Sequence, residues 1–223
     1  MKISRIHFVT IIPVLLFIIS CNNQPARMDS YYFPLKDYLN TKTNCFVNQN
    51  DTIDKTYWEM RTYVAGNDTF METKISDKNG IIEDIIEQIS NGVVTIRSYT
   101  LYDSDENQIR IACKSRVLDS ITFNADQKEG ESCRFRLRYK HPYYHDTCEF
   151  SRTRTLINVE EDKITFSDKL LAEFDNNSRG YDYKAVMIYA KGKGLVAYKM
   201  ILPGGEERDY RKISDIAGEN KMQ

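Results

Sequence analysis

Few residues in this chain have the types and spacing to do chemistry. The five cysteines are Cys21, Cys45, Cys113, Cys133 and Cys148, and the three histidines are His7, His141 and His145. His141 and His145 fall between Cys133 and Cys148, and two thiols with two imidazoles could make a tetrahedral zinc site. The spacing speaks against it. There is no Cys-x-x-Cys, and Pro142 would break any helix aligning the imidazoles, so a tip loop with solvated histidines is expected, without metal or cofactor. After Cys21 an even number of thiols remains, which in an oxidising compartment allows two disulfides in three connectivities. Cys133 and Cys148 flank a hairpin and are the first pair to expect; free buried thiols are the alternative.

Arg134, Arg136, Arg138 and Lys140 alternate with Cys133, Phe135, Leu137 and Tyr139, and Arg152 and Arg154 follow on the probable partner strand. Like charges facing one another need acidic neighbours or an anionic ligand. The stripe is therefore either an anion-binding face, for lipid phosphate, lipopolysaccharide or a sugar acid, or a solvent face balanced by Glu from adjacent strands. Gly192-Lys193-Gly194 lacks the wider fingerprint and following helix of a nucleotide loop and reads as a turn. No Gly-x-Ser-x-Gly elbow occurs and no histidine neighbours an evident nucleophile, so no catalytic residues and no enzyme activity are expected. A formal net charge of −1 gives no pull toward nucleic acid.

The elements that must position these residues are strands. Tyr numbers 15 and Phe 10, with Thr, Ile and Val common, a composition suited to pleated, half-buried surfaces. From Cys45 onward short apolar runs alternate with Asn, Asp and Gly punctuation. Thr56, Trp58, Met60, Thr62 and Val64 can share one face of a strand. Gln108–Val117, Ser120–Phe123, Thr147–Val159, Lys163–Phe166, Leu170–Phe174, Tyr181–Lys191 and Leu195–Leu202 read as further strands, with a strand or short helix after Glu206. Residues 81–89 are ambiguous. Ile81, Ile82, Ile85, Ile86 and Ile89 have helical spacing, but β-branching and the following Asn91-Gly92 favour a strand in a hairpin. Roughly ten or more short strands without βαβ alternation predict an all-β antiparallel meander, as a strongly curved sheet or open barrel with at most one or two short helices.

The first residues are of a different kind. Lys2 and Arg5 precede an apolar run from Ile6 to Ile19, then Ser20, Cys21 and the polar Asn22-Asn23-Gln24-Pro25. This is the pattern of an export signal, shorter than the ~20 residues of a membrane span and interrupted by Pro13. Ile18-Ile19-Ser20-Cys21 resembles the lipobox of bacterial lipoproteins, with Ile18 standing where Leu is usual. The resemblance implies cleavage of residues 1–20 and lipidation of Cys21 (palmitate or similar chains). It also implies a tether over 21–30 and a single domain over 31–223, held at a membrane surface in the cell envelope. Asn22 is not the Asp that retains enteric lipoproteins at the inner membrane, so the outer membrane is favoured, on either face.

A second resemblance lies near the other end. Ile188-Tyr189-Ala190-Lys191-Gly192-Lys193-Gly194-Leu195-Val196, and loosely Tyr32-Phe33-Pro34-Leu35, are similar to β-rich Gram-negative envelope lipoproteins with a C-terminal Gly-x-Gly-Leu-Val hairpin. It implies a fold and no activity. Asp51-Thr52-Ile53 and Asp119-Ser120-Ile121 resemble a short O-glycosylation signal of exported bacterial proteins and could equally be turns. The leading expectation is a non-enzymatic binding or carrier module, with an apolar or amphipathic ligand in the concavity of the sheet. The alternative is a structural accessory docked to an envelope complex through a strand edge or the arginine face. Expected partners are thus the membrane through the anchor, and a lipid, a glycan or an envelope protein.

Overall fold

The structure is a computed structural model that describes residues 29–105, 107 and 109–213. The signal segment and Cys21 lie outside the described residues. A short helical turn, Asp29–Tyr32, and a 3-10 turn, Leu35–Tyr38, lead into the strands. These are β1 (Lys42–Asn48), β2 (Asp51–Ala65), β3 (Asp68–Asp77), β4 (Gly80–Ser90), β5 (Val93–Ser104) and β6 (Arg110–Lys114). Then follow β7 (Arg116–Asn124), β8 (Ser132–Lys140), β9 (Thr147–Val159), β10 (Lys163–Phe174), β11 (Asn177–Ala190), β12 (Gly194–Ile201) and β13 (Glu207–Ile213).

Every strand pairs antiparallel with its sequence neighbours except β6 with β7, which both pair with β5, and β1 pairs with β13 through Cys45–Ile213 and Asn48–Tyr210, so the meander closes on itself. The outer edge of β5 is shared. β7 takes Val93–Thr95, and the short β6 takes Thr100–Ser104. The ring therefore holds twelve strands with β6 beside it. The all-β antiparallel meander expected from the sequence is found, as a barrel that is closed and not open, and closure pairs the strand edges that an open form would leave bare.

Residues 81–89 lie within β4, as a strand. Asn91 and Gly92 both take positive φ, at 51° and 78°, as a tight two-residue hairpin turn requires. Two expected boundaries move. The break between β6 and β7 falls at Ser115, whose amide donates to the Tyr99 carbonyl at 3.0 Å, and β7 runs unbroken through Asp119. The segments around 163–166 and 170–174 are one strand, because Asp168 in the polar Ser167-Asp168-Lys169 triplet points into the barrel and is paired there.

Alternation sorts the walls into two faces. On β10, Ile164, Phe166, Asp168, Leu170, Ala172 and Phe174 are all buried, and the residues between them face outward. One end of the barrel is closed by the chain that enters it. Tyr32 and Phe33 pack among Phe123 and Tyr189, with ring centroids 4.9–6.5 Å apart. Hydrogen bonds hold this plug: Tyr31 Oη donates to the Glu161 carbonyl at 2.9 Å, Gly192 N to the Ser30 carbonyl at 2.9 Å, and Thr62 Oγ1 to the Leu35 carbonyl at 2.8 Å. Gly194 makes the fit possible. Its φ is +73°, and a Cβ there would stand 2.3 Å from the Phe33 ring and 2.8 Å from the Tyr32 carbonyl.

Candidate functional site

Beyond the plug the lumen is not filled. A cavity of about 210 Å³ lies inside the ring, walled by β2, β3 and β4 on one side and β8, β9, β11 and β12 on the other. Its apolar lining includes Met60, Met71, Met187 and Met200, flexible side chains that can adapt to an occupant. Aromatic rings of Trp58, Tyr99, Phe135, Tyr183 and Tyr198 complete the wall.

At the cavity floor, Glu87 accepts hydrogen bonds from Tyr32 Oη and, at 3.0 Å, from Thr122 Oγ1. Burial raises the carboxyl of Glu87 above its ordinary range, against these hydrogen bonds, which favour the charged form. Beside it Arg154 is clamped by Asp168, Nε to Oδ1 at 3.0 Å and Nη2 to Oδ2 at 2.9 Å, with further bonds to the Thr122 carbonyl and Tyr189 Oη. Burial works against the charge of Arg154, but the adjacent Asp168 more than offsets it and holds the guanidinium ionised.

Higher in the lumen three polar groups are left over. Trp58 Nε1, Thr73 Oγ1 and Arg152 Nε are buried and have no hydrogen-bond partner among the described residues. Arg152 lies 3.4 Å from Asp168 Oδ2, a carboxylate already engaged by Arg154, and its guanidinium rests 5.4 Å from the centre of the Phe135 ring. Buried polar groups are nearly always paired, so three orphans on one cavity ask for an occupant.

The basic stripe expected from the sequence is divided by the barrel wall. Cys133 pairs with Arg154 and Phe135 with Arg152, so both arginines of β9 point inward with the apolar face of β8. Arg134, Arg136, Arg138 and Lys140 face outward. There Arg136 pairs with Asp119 and with Glu149 at 3.1 Å, and Arg138 pairs with Asp175. For these two the solvent-face alternative describes the geometry, with acids from neighbouring strands. One continuous anion-binding face does not form, because period-two alternation places the two sets on opposite sides.

The disulfide expected between Cys133 and Cys148 is not present. All four described cysteines are free, and Cys148 is opposite Tyr139, six residues along β8 from Cys133. At ~3.3 Å per residue that is about 20 Å, far beyond the ~7 Å limit for a bridge. Burial raises both thiols above their usual range. In the tip loop, His141 is buried and not solvated. Its Nε2 meets Asp103 Oδ2 at 2.9 Å while Nδ1 accepts from the amides of Tyr143 and Tyr144. Burial lowers its affinity for a proton, against the pull of Asp103. With both ring nitrogens engaged, it anchors the loop. Nearby, burial pushes Tyr181 up to about 12. Among the described residues no group of three or more potential ligands is placed to hold a metal ion.

A larger cleft of about 490 Å³ sits at the rim opposite the plug, between the β1–β2, β3–β4 and β12–β13 turns. Its carboxylates Asp54, Asp77 and Glu206 are paired. Asp54 accepts from Asn48 and Tyr210, Asp77 from Arg110, and Glu206 from Arg208. The unmet hydrogen-bonding capacity is in the smaller cavity.

No family model matches the chain, and no curated protein does. A solved structure does, that of a protein thought to be exported, with a YmcC-like fold, from Bacteroides fragilis. It is 11% identical, with a TM-score of 0.49 over 78% of this chain and 94% of that one. That likeness is too distant to bring a ligand or a partner with it.

The sequence marked Arg152 as part of the basic stripe, but it did not mark Trp58, Thr73, Glu87 or Asp168 as a site. Trp58 and Met60 were legible as one face of β2. What was missing was the ring, which brings β2 and β9 to face each other across the lumen.

Proposed function

We propose that this chain is a lipid-anchored protein of the cell envelope, acylated at Cys21, whose barrel is a non-enzymatic binding or carrier module for a small amphipathic ligand. The observation that carries the binding reading is the lumenal cavity of about 210 Å³, apolar on most of its wall yet holding three unpaired polar groups. Concave, mostly apolar sites with a few placed polar groups are what ligands occupy.

The polarity of the barrel supports a tethered module over a membrane-spanning one. Charged side chains such as Arg136 and Arg138 face outward on β8, where a lipid-embedded barrel would carry an apolar band. The anchor therefore does the holding, and the outer membrane is the proposed location. The accessory alternative has less to stand on. Its strand edge is consumed by closure, save at β6, and its arginine face carries its own acids.

The test is native mass spectrometry of the chain from residue 22, exported behind a cleavable signal peptide that adds no lipid and purified without detergent. A carrier yields a bound species of small mass that leaves on mild activation. A ligand-free monomer that retains one envelope protein in stoichiometric amount would replace the carrier reading with the accessory one. Labelled palmitate entering the native protein but not Cys21→Ser checks the anchor.

A further inference from the structure

We infer that the lumenal ligand is an acidic amphiphile, its carboxylate on Arg152 and its short apolar body among the methionines; this rests on the lumenal binding reading above. Arg152 carries five N–H donors and no acceptor, and Trp58 a single donor. Arg152 Nε and Trp58 Nε1 have no hydrogen-bond partner among the described residues, and Thr73, only 4% exposed, leaves its hydroxyl unpaired in the same cavity. A set dominated by donors calls for an acceptor, and the planar fork of arginine fits a carboxylate best.

Charge points the same way. Arg152 and Arg154 share one fully buried carboxylate, Asp168, and Arg154 takes the close bidentate contact. Glu87, the other acid at the floor, is committed to Tyr32 and Thr122, and Glu83 on the lumen wall makes no ion pair with Arg152 among the described residues. The guanidinium of Arg152 is thus a cation in a mostly apolar cavity without a carboxylate of its own, its side chain 26% exposed.

Size and placement complete the picture. Trp58 on β2 and Arg152 on β9 are six strands apart by either route, through β3, β4, β5, β7 and β8 or through β1, β13, β12, β11 and β10. They therefore face each other across the ring, and a ligand lying between them spans the lumen. A volume of 210 Å³ is below the ~300–1,000 Å³ of drug-sized sites, which restricts the occupant to a short chain.

Trp58 is the chain's single tryptophan, so its fluorescence reports occupancy directly. The experiment titrates the chain from residue 22, which contains the whole closed barrel, with octanoate, with octanol and with glucuronate at pH 7.5. Octanoate is expected to change Trp58 emission saturably, with octanol and glucuronate at least about tenfold weaker, as loss of a charge-assisted hydrogen bond or of apolar contact requires. Arg152→Gln is expected to weaken octanoate by about tenfold or more while leaving octanol unchanged, and Arg152→Lys to fall between. Equal binding of octanoate and octanol, or octanoate binding indifferent to Arg152→Gln, would overturn the acidic head group while leaving a lumenal site. Glucuronate binding as well as octanoate would overturn the apolar body. No response to either octanoate or octanol would remove the lumenal reading itself. Should Arg152→Gln fail to fold, the octanoate-to-octanol ratio of the native protein decides alone.

Discussion

The two halves of the barrel interior are built from the same alternating strands and end in opposite states. At the plugged end, Tyr32 and Phe33 fill the lumen among Phe123, Phe166 and Tyr189, and the hydroxyl of Tyr32 is paired with Glu87. Past Arg154 the wall residues are just as apolar, but space remains and Trp58, Thr73 and Arg152 go unpaired. What separates the halves is the source of the filling. The sealed half borrows side chains from the segment that precedes β1, and the open half has no such donor. The difference teaches that vacancy in this fold is local: one end is sealed by the chain's own entry, the other is left for something else.

The sharpest way to break that contrast is at its boundary. Asp168 is fully buried, and replacing it with alanine strands the Arg154 charge. A loss of about 3–5 kcal/mol is expected in urea unfolding, and the double change to Arg154→Met with Asp168→Leu should recover most of it.

Next in size is the plug. Gly194→Ala forces a left-handed residue and sets a methyl against Phe33, so a loss of about 1–3 kcal/mol or more is expected. A double-mutant cycle with Phe33→Ala isolates the ring contact, since that clash disappears while the one with the Tyr32 carbonyl and the backbone strain stay.

Smaller, and dependent on pH, is Glu87. Its folded-state carboxyl titrates above the unfolded one, so the folded chain holds the proton more tightly. Stability from this group is complete below the unfolded value, near pH ~4.3, and falls as pH rises through the folded value. Glu87→Gln keeps one acceptor oxygen for Tyr32 or Thr122 and sets an uncharged amide donor against the other hydroxyl, which can accept. It should melt higher than the native chain near neutrality, with the gain vanishing in acid; a gain that persists below pH 4 would contradict the assignment. The least effect belongs outside. Arg136→Ala cuts solvent-screened pairs and should leave the melting temperature nearly unchanged and all lumenal binding intact.

Much of the fold was legible because alternation is a local signal. Cys133 to Tyr139 shows its two faces by itself, and Asn91-Gly92 its turn. The reading stopped where pairing partners decide. Arg152 and Arg154 look like a continuation of the Arg134–Lys140 stripe until the register opposes them to Phe135 and Cys133. Asp168 looks like a loop residue until the β9–β10 register sets it beside Arg154. Cys133 and Cys148 look adjacent at a hairpin until the register separates them. The motif pair at Tyr32–Leu35 and Gly192–Val196 was visible as a resemblance alone. Its physical reason, a phenyl ring seated on a residue without a Cβ, needed the two ends of the chain in contact.

The central claim, that the interior beyond the plug receives a ligand, is tested most directly by methyl NMR of the chain from residue 22 labelled at methionine. Met60, Met71, Met187 and Met200 line the cavity. Octanoate is predicted to shift these four lumenal methyl signals together and saturably. Four unmoved lumenal signals at saturating octanoate and octanol alike would show a closed, water-filled core and contradict the account.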